Sequence, residues 1–235
     1  HSYSHADMQA SEKLATATDI FYNRGRAVGV FLQLSDALKT TPSSLLEAFA
    51  EWLQNHPHIE QPSLTDIERW QPEKILPLQQ QFMTEQFQKS GKQNLLPAAS
   101  DLLNYHYLCA ETLLAPDEKP VETLPNEKQF LAGNWRLNPH VRVEKFHYDL
   151  EGLEMLCGEP LKVLSKQLRQ ETSYGIFMRR QEEILIEVLQ EDFACMLLGA
   201  KNGKSGRQLR KQLHPSEADE LLQFAVAEGL LLQTT

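Results

Sequence analysis

Residues 116–138, PDEKPVETLPNEKQFLAGNWRLN, separate two kinds of hydrophobic pattern, and that separation constrains the fold more than any other feature. Three prolines and several charges mark the stretch as a long connection. Before it, apolar residues recur at three- and four-residue spacing; after it, they begin to alternate. The expected class is mainly α, of the α+β type. A helical bundle over 1–118 is followed by a connection over 119–138 and a small module of hairpin and helices over 139–235.

Within the first half, the pattern from Met8 to Leu38 is helical, broken near Tyr22-Asn23-Arg24-Gly25-Arg26. Thr41 with Pro42 forms a helix start, and Leu45, Leu46, Phe49, Trp52 and Leu53 share one face, with Pro57 as the stop. A short helix after Ser63 has a capping-box partner in Asp66. The next helix runs from Ile75 to Lys89 and ends at Gly91; Pro77 in its first turn moves the start to Glu73. A helix over Asn94–Ala115, apolar around much of its circumference, is expected at the centre.

In the second half, VRVEKFHYDL (141–150) predicts a strand with a phase slip near Lys145. SYGIFMRR and EILIEVLQ predict a hairpin across Gln181-Glu182. Helices follow over Glu191–Leu198, Ser205–Leu213 and Pro215–Glu228, with Gly229 as a stop.

Composition excludes several classes. No apolar run approaches the ~20 residues of a membrane span, and no export signal is visible. A net charge of −9 disfavours broad nucleic-acid binding. Cys109, Cys157 and Cys195 are odd in number and far apart, so reduced core thiols and a cytoplasmic location are expected. The first residue is His1 rather than Met, which fits a piece of something longer.

The most chemistry-like string is GAKNGKSGRQLRKQ (199–212). A phosphate loop needs four residues between its first glycine and Gly-Lys-Ser/Thr, and here there are three. DFACMLLGA before it has helical rather than strand periodicity, so Ser205 is better taken as a helix N-cap. The phosphate-loop reading fails. Lys201, Lys204, Arg207, Arg210 and Lys211 nevertheless form a basic cluster with no acid among them. The helix–turn–helix run ending in Gly229-Leu230-Leu231-Leu232 has the cadence of a winged-helix module, so 139–235 is expected to be winged-helix-like. Glu217, Asp219 and Glu220 on its second helix would repel a DNA backbone, which favours a peptide or protein partner.

No other constellation carries chemistry. The eight histidines include no HExxH pair and no zinc spacing, and Glu182-Glu183 sits in a turn. His106, between Tyr105 and Tyr107, is the one pocket-lining candidate for a self-contained enzyme; a hydrogen-bonded core histidine is the simpler reading. No catalytic, cofactor-binding or metal residue is assigned.

The order of three features resembles a known family. They are Tyr22-Asn23-x-Gly25-Arg26, the Ser43-Ser44-Leu45-Leu46-x-x-Phe49-x-x-Trp52 helix, and Arg142-x-Glu144-x-Phe146-x-Tyr148-Asp149. Over about residues 15–150 the chain resembles the C-terminal helical region of cobalamin-binding radical-SAM Fe–S oxidoreductases, loosely labelled Mg-protoporphyrin IX monomethyl ester cyclase-like. The resemblance implies a parent with a [4Fe–4S] cluster, S-adenosylmethionine and cobalamin, held by its upstream radical-SAM and cobalamin-binding domains. The CxxxCxxC and DxHxxG signatures are absent here, so this chain would bind none of the three. It would act as an accessory region that covers the barrel or helps form a substrate or partner site. Tyr22, Asn23, Arg26, His106, Arg142, Tyr148, Lys204, Arg207, Arg210 and Lys211 are the contact residues so expected. The alternative is a winged-helix-like peptide- or protein-binding module acting by itself.

Overall fold

A computed structural model describes residues 4–56, 70–117, 119–121 and 124–234. The molecule is helix-rich with two small antiparallel sheets. It divides into two compact units, 1–107 with 153–168 and 108–152 with 169–235. Among the described residues no helix is long and apolar enough to cross a membrane.

Unit 1 is helical. Ser4 and Asp7 close a reciprocal capping box at the start of α1 (His5–Thr18). The helix widens into a π-turn over Asp19–Arg24, where the Gly25 N–H reaches the Ile20 carbonyl at 2.8 Å. In an α-helix that N–H would go to Phe21. The freed Phe21 carbonyl instead accepts from Gln79 Nε2 at 2.8 Å, deep in the core. Position 25 must then be glycine, because a Cβ there would lie 2.2 Å from Gln79 Nε2 and 2.6 Å from Phe21 O. The break expected at 22–26 is thus a specific wide turn.

After it come α2 (Phe31–Leu38), ended by left-handed Lys39, and α3 (Pro42–Asn55), capped by Thr41 with Pro42 first. The pieces expected from Pro57 to Asp66 lie outside the described residues. α4 (Pro72–Lys89) starts earlier than its sequence pattern indicates, which puts Pro77 inside the helix, and Gly91 takes a φ of 67° just past its end. Pro77 is the sixth residue of α4, so the helix forgoes the one bond that an N–H there would have given to the Glu73 carbonyl. α5 (Leu96–Leu114) gives residues 96–107 to this unit, with Ala98, Ala99, Leu102 and Leu103 fully buried. Phe21, Phe49 and Phe82 meet edge-to-face at 4.9–6.0 Å in the core. Each such ring stabilises the unit by roughly 1.5–3 kcal/mol through burial. α8 (Leu161–Gln167) completes it, and Gln33 ties the preceding loop by donating to the Cys157 and Glu159 carbonyls.

Unit 2 begins at Leu108, within α5 and ahead of the stretch taken as a connection, and that stretch is itself structured. α6 (Glu127–Ala132) is capped reciprocally by Asn126 and Gln129, and β1 (Asn134–Leu137) follows at once. Prolines at 116, 120 and 125 mask these short elements in a windowed reading, although Asn126-x-x-Gln129 is itself a start signal. The last turns of α5 and the segment after them are hydrogen-bonded to this unit. Arg179 Nη1 donates to the Leu113 and Ala115 carbonyls, and Val121 N to Ala227 O.

The larger sheet has the order β2–β3–β4, from β2 (Arg142–Phe146), β3 (Ser173–Arg180) and β4 (Glu183–Leu189). The β3–β4 turn is the expected Gln181-Glu182 pair, both residues left-handed. The apparent phase slip in β2 has a simple cause: the register is unbroken and both faces are covered. Val143 pairs with Ile176 on one face, while Phe146 meets Phe177 at 6.1 Å on the other. α7 (Leu150–Leu156) starts in this unit, its Leu150 packed against Gly175.

The smaller sheet has the order β5–β1–β6, and three helices lead through it. α9 (Glu191–Gly199) precedes β5 (Lys204–Ser205); then come α10 (Gly206–Arg210), α11 (Ala218–Ala227) and β6 (Leu231–Thr234). Ser205 caps α10 with Gln208 as its reciprocal partner, and Gly229, at a φ of 68°, turns the chain into β6. The core joins both sheets and these helices through Trp135, Ile176, Met196, Leu209, Leu222 and Leu231.

Candidate functional site

The basic segment noted at 199–212 is brought to one side of a groove in unit 2. Two helices and a turn build it. The capping box at Ser205 starts α10 so that Arg207, Arg210 and, just past its end, Lys211 stand along one wall. Leu131 of α6, Leu213, Pro215 and Ala218 supply an apolar floor, in a volume of about 540 Å³. Gly206 lets the walls approach this closely: a Cβ there would lie 2.1 Å from the Phe130 carbonyl of α6.

The three cations differ. Arg210 is held in a bidentate pair by Asp219, with Nε and Nη2 at 2.7 and 2.8 Å from its carboxylate oxygens. That hydrogen bonding raises the arginine's pKa and lowers the aspartate's. Arg207 and Lys211 are exposed and make no salt bridge among the described residues. Lys204 is half-buried and turned toward Gln212 Oε1 at 3.3 Å, so it is not part of the wall. Beyond Asp219, a narrow cavity of about 30 Å³ between α6 and α11 is lined by Phe130, Leu131, Leu222 and Val226, with Glu127 at its edge. This recess is mainly apolar and shares Leu131 with the basic groove.

The other contact residues named above have these local surroundings in each unit. In unit 1, Tyr22 packs its ring on Phe31 at 5.2 Å, and Asn23 donates to Asp19 at 3.4 Å. Arg26 holds a left-handed φ of 59° at the end of the π-turn. His106 lies with its imidazole against Gly29, whose notional Cβ would be 2.4 Å from Nδ1. Its Nε2 is buried with no hydrogen-bond partner among the described residues, and desolvation lowers its pKa. In unit 2, Arg142 donates to the Pro139 carbonyl, and Tyr148 is buried, its own carbonyl accepting from Ser173 Oγ at 2.7 Å.

The thiols also differ from expectation. Among the described residues no disulfide forms, and Cys195 is exposed while the other two are half-buried, so none is a core cysteine. Cys195 falls on the outer side of α9, opposite Ala194 and Met196 in the core. Among the described residues no group of three or more His, Cys, Asp or Glu side chains is placed to hold a metal. Sequence reasoning found the basic wall but missed the apolar floor, because Leu131 belongs to the helix hidden in the proline-rich stretch.

No family model matches the chain, and no curated protein is similar to it.

Proposed function

We propose that the chain is a binding component without turnover of its own, and that its second unit works as a winged-helix-like module for a protein or peptide partner. The observation that carries this reading is the path of the chain around the smaller sheet. Helix α9, strand β5, helices α10 and α11 and strand β6 follow in the order of a winged-helix core, with a third strand between the two edges. The departure is that this central strand, β1, comes from ahead of the helices rather than after them. Asp219 and Glu220 stand on α11, the helix that would enter a DNA groove, and their charge favours a protein partner over a phosphate backbone.

In the same reading the partner is a set of upstream radical-SAM and cobalamin-binding domains, and the chain is their accessory region. The parent carries the [4Fe–4S] cluster, S-adenosylmethionine and cobalamin, and acts as an Fe–S oxidoreductase. The motif order at 22–26, 43–52 and 142–149 supports this reading, and cysteines outside any disulfide among the described residues suit a cytoplasmic setting.

Two measurements test it. After anaerobic reconstitution with iron and sulfide, the purified chain is expected to retain no stoichiometric iron and to show no charge-transfer band; a stoichiometric cluster overturns the proposal. Separately expressed upstream domains are expected to co-elute with the chain in size-exclusion chromatography, and independent elution removes the accessory role.

A further inference from the structure

We propose that the groove between α6, α10 and the 213–218 turn is a docking site for an acidic peptide segment carrying one apolar anchor residue. The inference rests on the binding-module reading above and adds the chemistry of the partner.

Charge and shape point to the same occupant. The chain has a net charge of −9, yet the cations on this wall are Arg207, Arg210 and Lys211, of which Asp219 pairs only Arg210. A local positive patch on an acidic protein attracts an anionic segment while the rest of the surface repels it, which sets orientation as well as encounter rate. Arg207 and Lys211 reach the groove mouth exposed and without a salt bridge among the described residues, so their charge is available to an incoming carboxylate. Arg210 is already engaged by Asp219 and fixes the wall in place.

The floor supplies the second half of the specificity. Leu131 is half-buried, Leu213 and Ala218 are buried, and Pro215 at the end is exposed, so an apolar anchor would take the open parts of this surface out of water and a purely polar ligand would not. A volume of about 540 Å³ admits a leucine or phenylalanine with its flanking backbone. Nucleic acid suits the groove poorly, since a phosphate backbone needs a continuous cationic track and here Glu217, Asp219 and Glu220 follow the turn.

Display of random peptides against the full chain tests the proposal without guessing a sequence. The expected selection is Asp and Glu flanking Leu, Phe or Met. The strongest binder, made with a fluorescent label, should lose at least tenfold in affinity to the Arg207→Glu/Lys211→Glu variant, about 1.4 kcal/mol. It should also weaken as salt is raised. The control Lys162→Glu/Lys166→Glu changes net charge equally on exposed α8 positions and should leave binding intact. Both altered pairs are exposed, and circular dichroism confirms that each variant folds. Selection of basic or uncharged peptides, no selection at all, or equal binding by the Arg207/Lys211 variant overturns the groove assignment. So does tighter binding of duplex DNA, or of a second copy of the chain, at the same residues. Any of these leaves the binding-module reading to the iron and co-elution measurements, whose failure is separate.

Discussion

Replacing Gly206 by alanine tests the contact that shapes the groove. Gly206 opens α10, and its backbone is compatible with any residue, so sterics is the main objection to a side chain. The new methyl carbon would lie 2.1 Å from the Phe130 carbonyl oxygen and 2.8 Å from its carbon. An ordinary carbon–oxygen approach is about 3.3 Å, so α6 and α10 must separate by roughly 1 Å. The Phe130 carbonyl cannot yield freely. It accepts the buried Trp135 Nε1 at 2.9 Å, the Phe130 ring stacks on that indole at 4.8 Å, and Gly206 N is bonded to Gly133 O at 3.0 Å. Overpacking of this kind costs ~1–3 kcal/mol, and loss of the indole hydrogen bond costs a further ~1–3 kcal/mol. Alanine regains about 1 kcal/mol through helix propensity and lower unfolded-state entropy. The net destabilisation is about 1–5 kcal/mol. For a unit of this size it lowers the melting temperature by roughly 4–25 °C. Differential scanning calorimetry measures it, with Gly158→Ala as the control, since nothing lies within 4 Å of that position. A Gly206→Ala protein melting within about 2 °C of the wild type would refute the argument that glycine sets this spacing.

Three further outcomes are expected. Gln79→Ala removes the donor to the Phe21 carbonyl and should destabilise unit 1 by about 1–3 kcal/mol in urea unfolding, whereas an unchanged midpoint would mean the π-turn needs no such partner. Burial lowers the His106 pKa from the ordinary 6.5, so the folded protein favours the neutral imidazole. Stability from this group is therefore complete above about pH 6.5 and declines as the pH falls below it, because the unfolded state then binds more protons. The stability difference between wild type and His106→Leu should narrow or reverse on acidification, and a pH-independent difference would contradict the burial. Cys195, exposed on α9, should react first with a thiol reagent, ahead of half-buried Cys109 and Cys157; a Cys195→Ser protein that keeps the fast phase would place the reactive thiol elsewhere.

Local signals were legible wherever the physics is local. The Thr41–Pro42 helix start, the Ser205 cap, the Gly91 and Gly229 stops and the Gln181-Glu182 hairpin turn all depend on the conformations of a few neighbouring residues. The basic wall was legible for the same reason, since Arg207, Arg210 and Lys211 lie within one turn of each other. What the sequence left open depends on partners distant along the chain. The irregular spacing of Val143 and Phe146 acquires meaning only once β3 pairs beside β2 and both faces are covered. Likewise, β1 is a strand because β5 and β6, some 70 and 97 residues later, complete its hydrogen bonds. The short helix before it puts Leu131 under the basic wall by the same long-range packing. Neighbouring residues set caps, turns and charge; only tertiary contacts decided which apolar surface those charges would overlook.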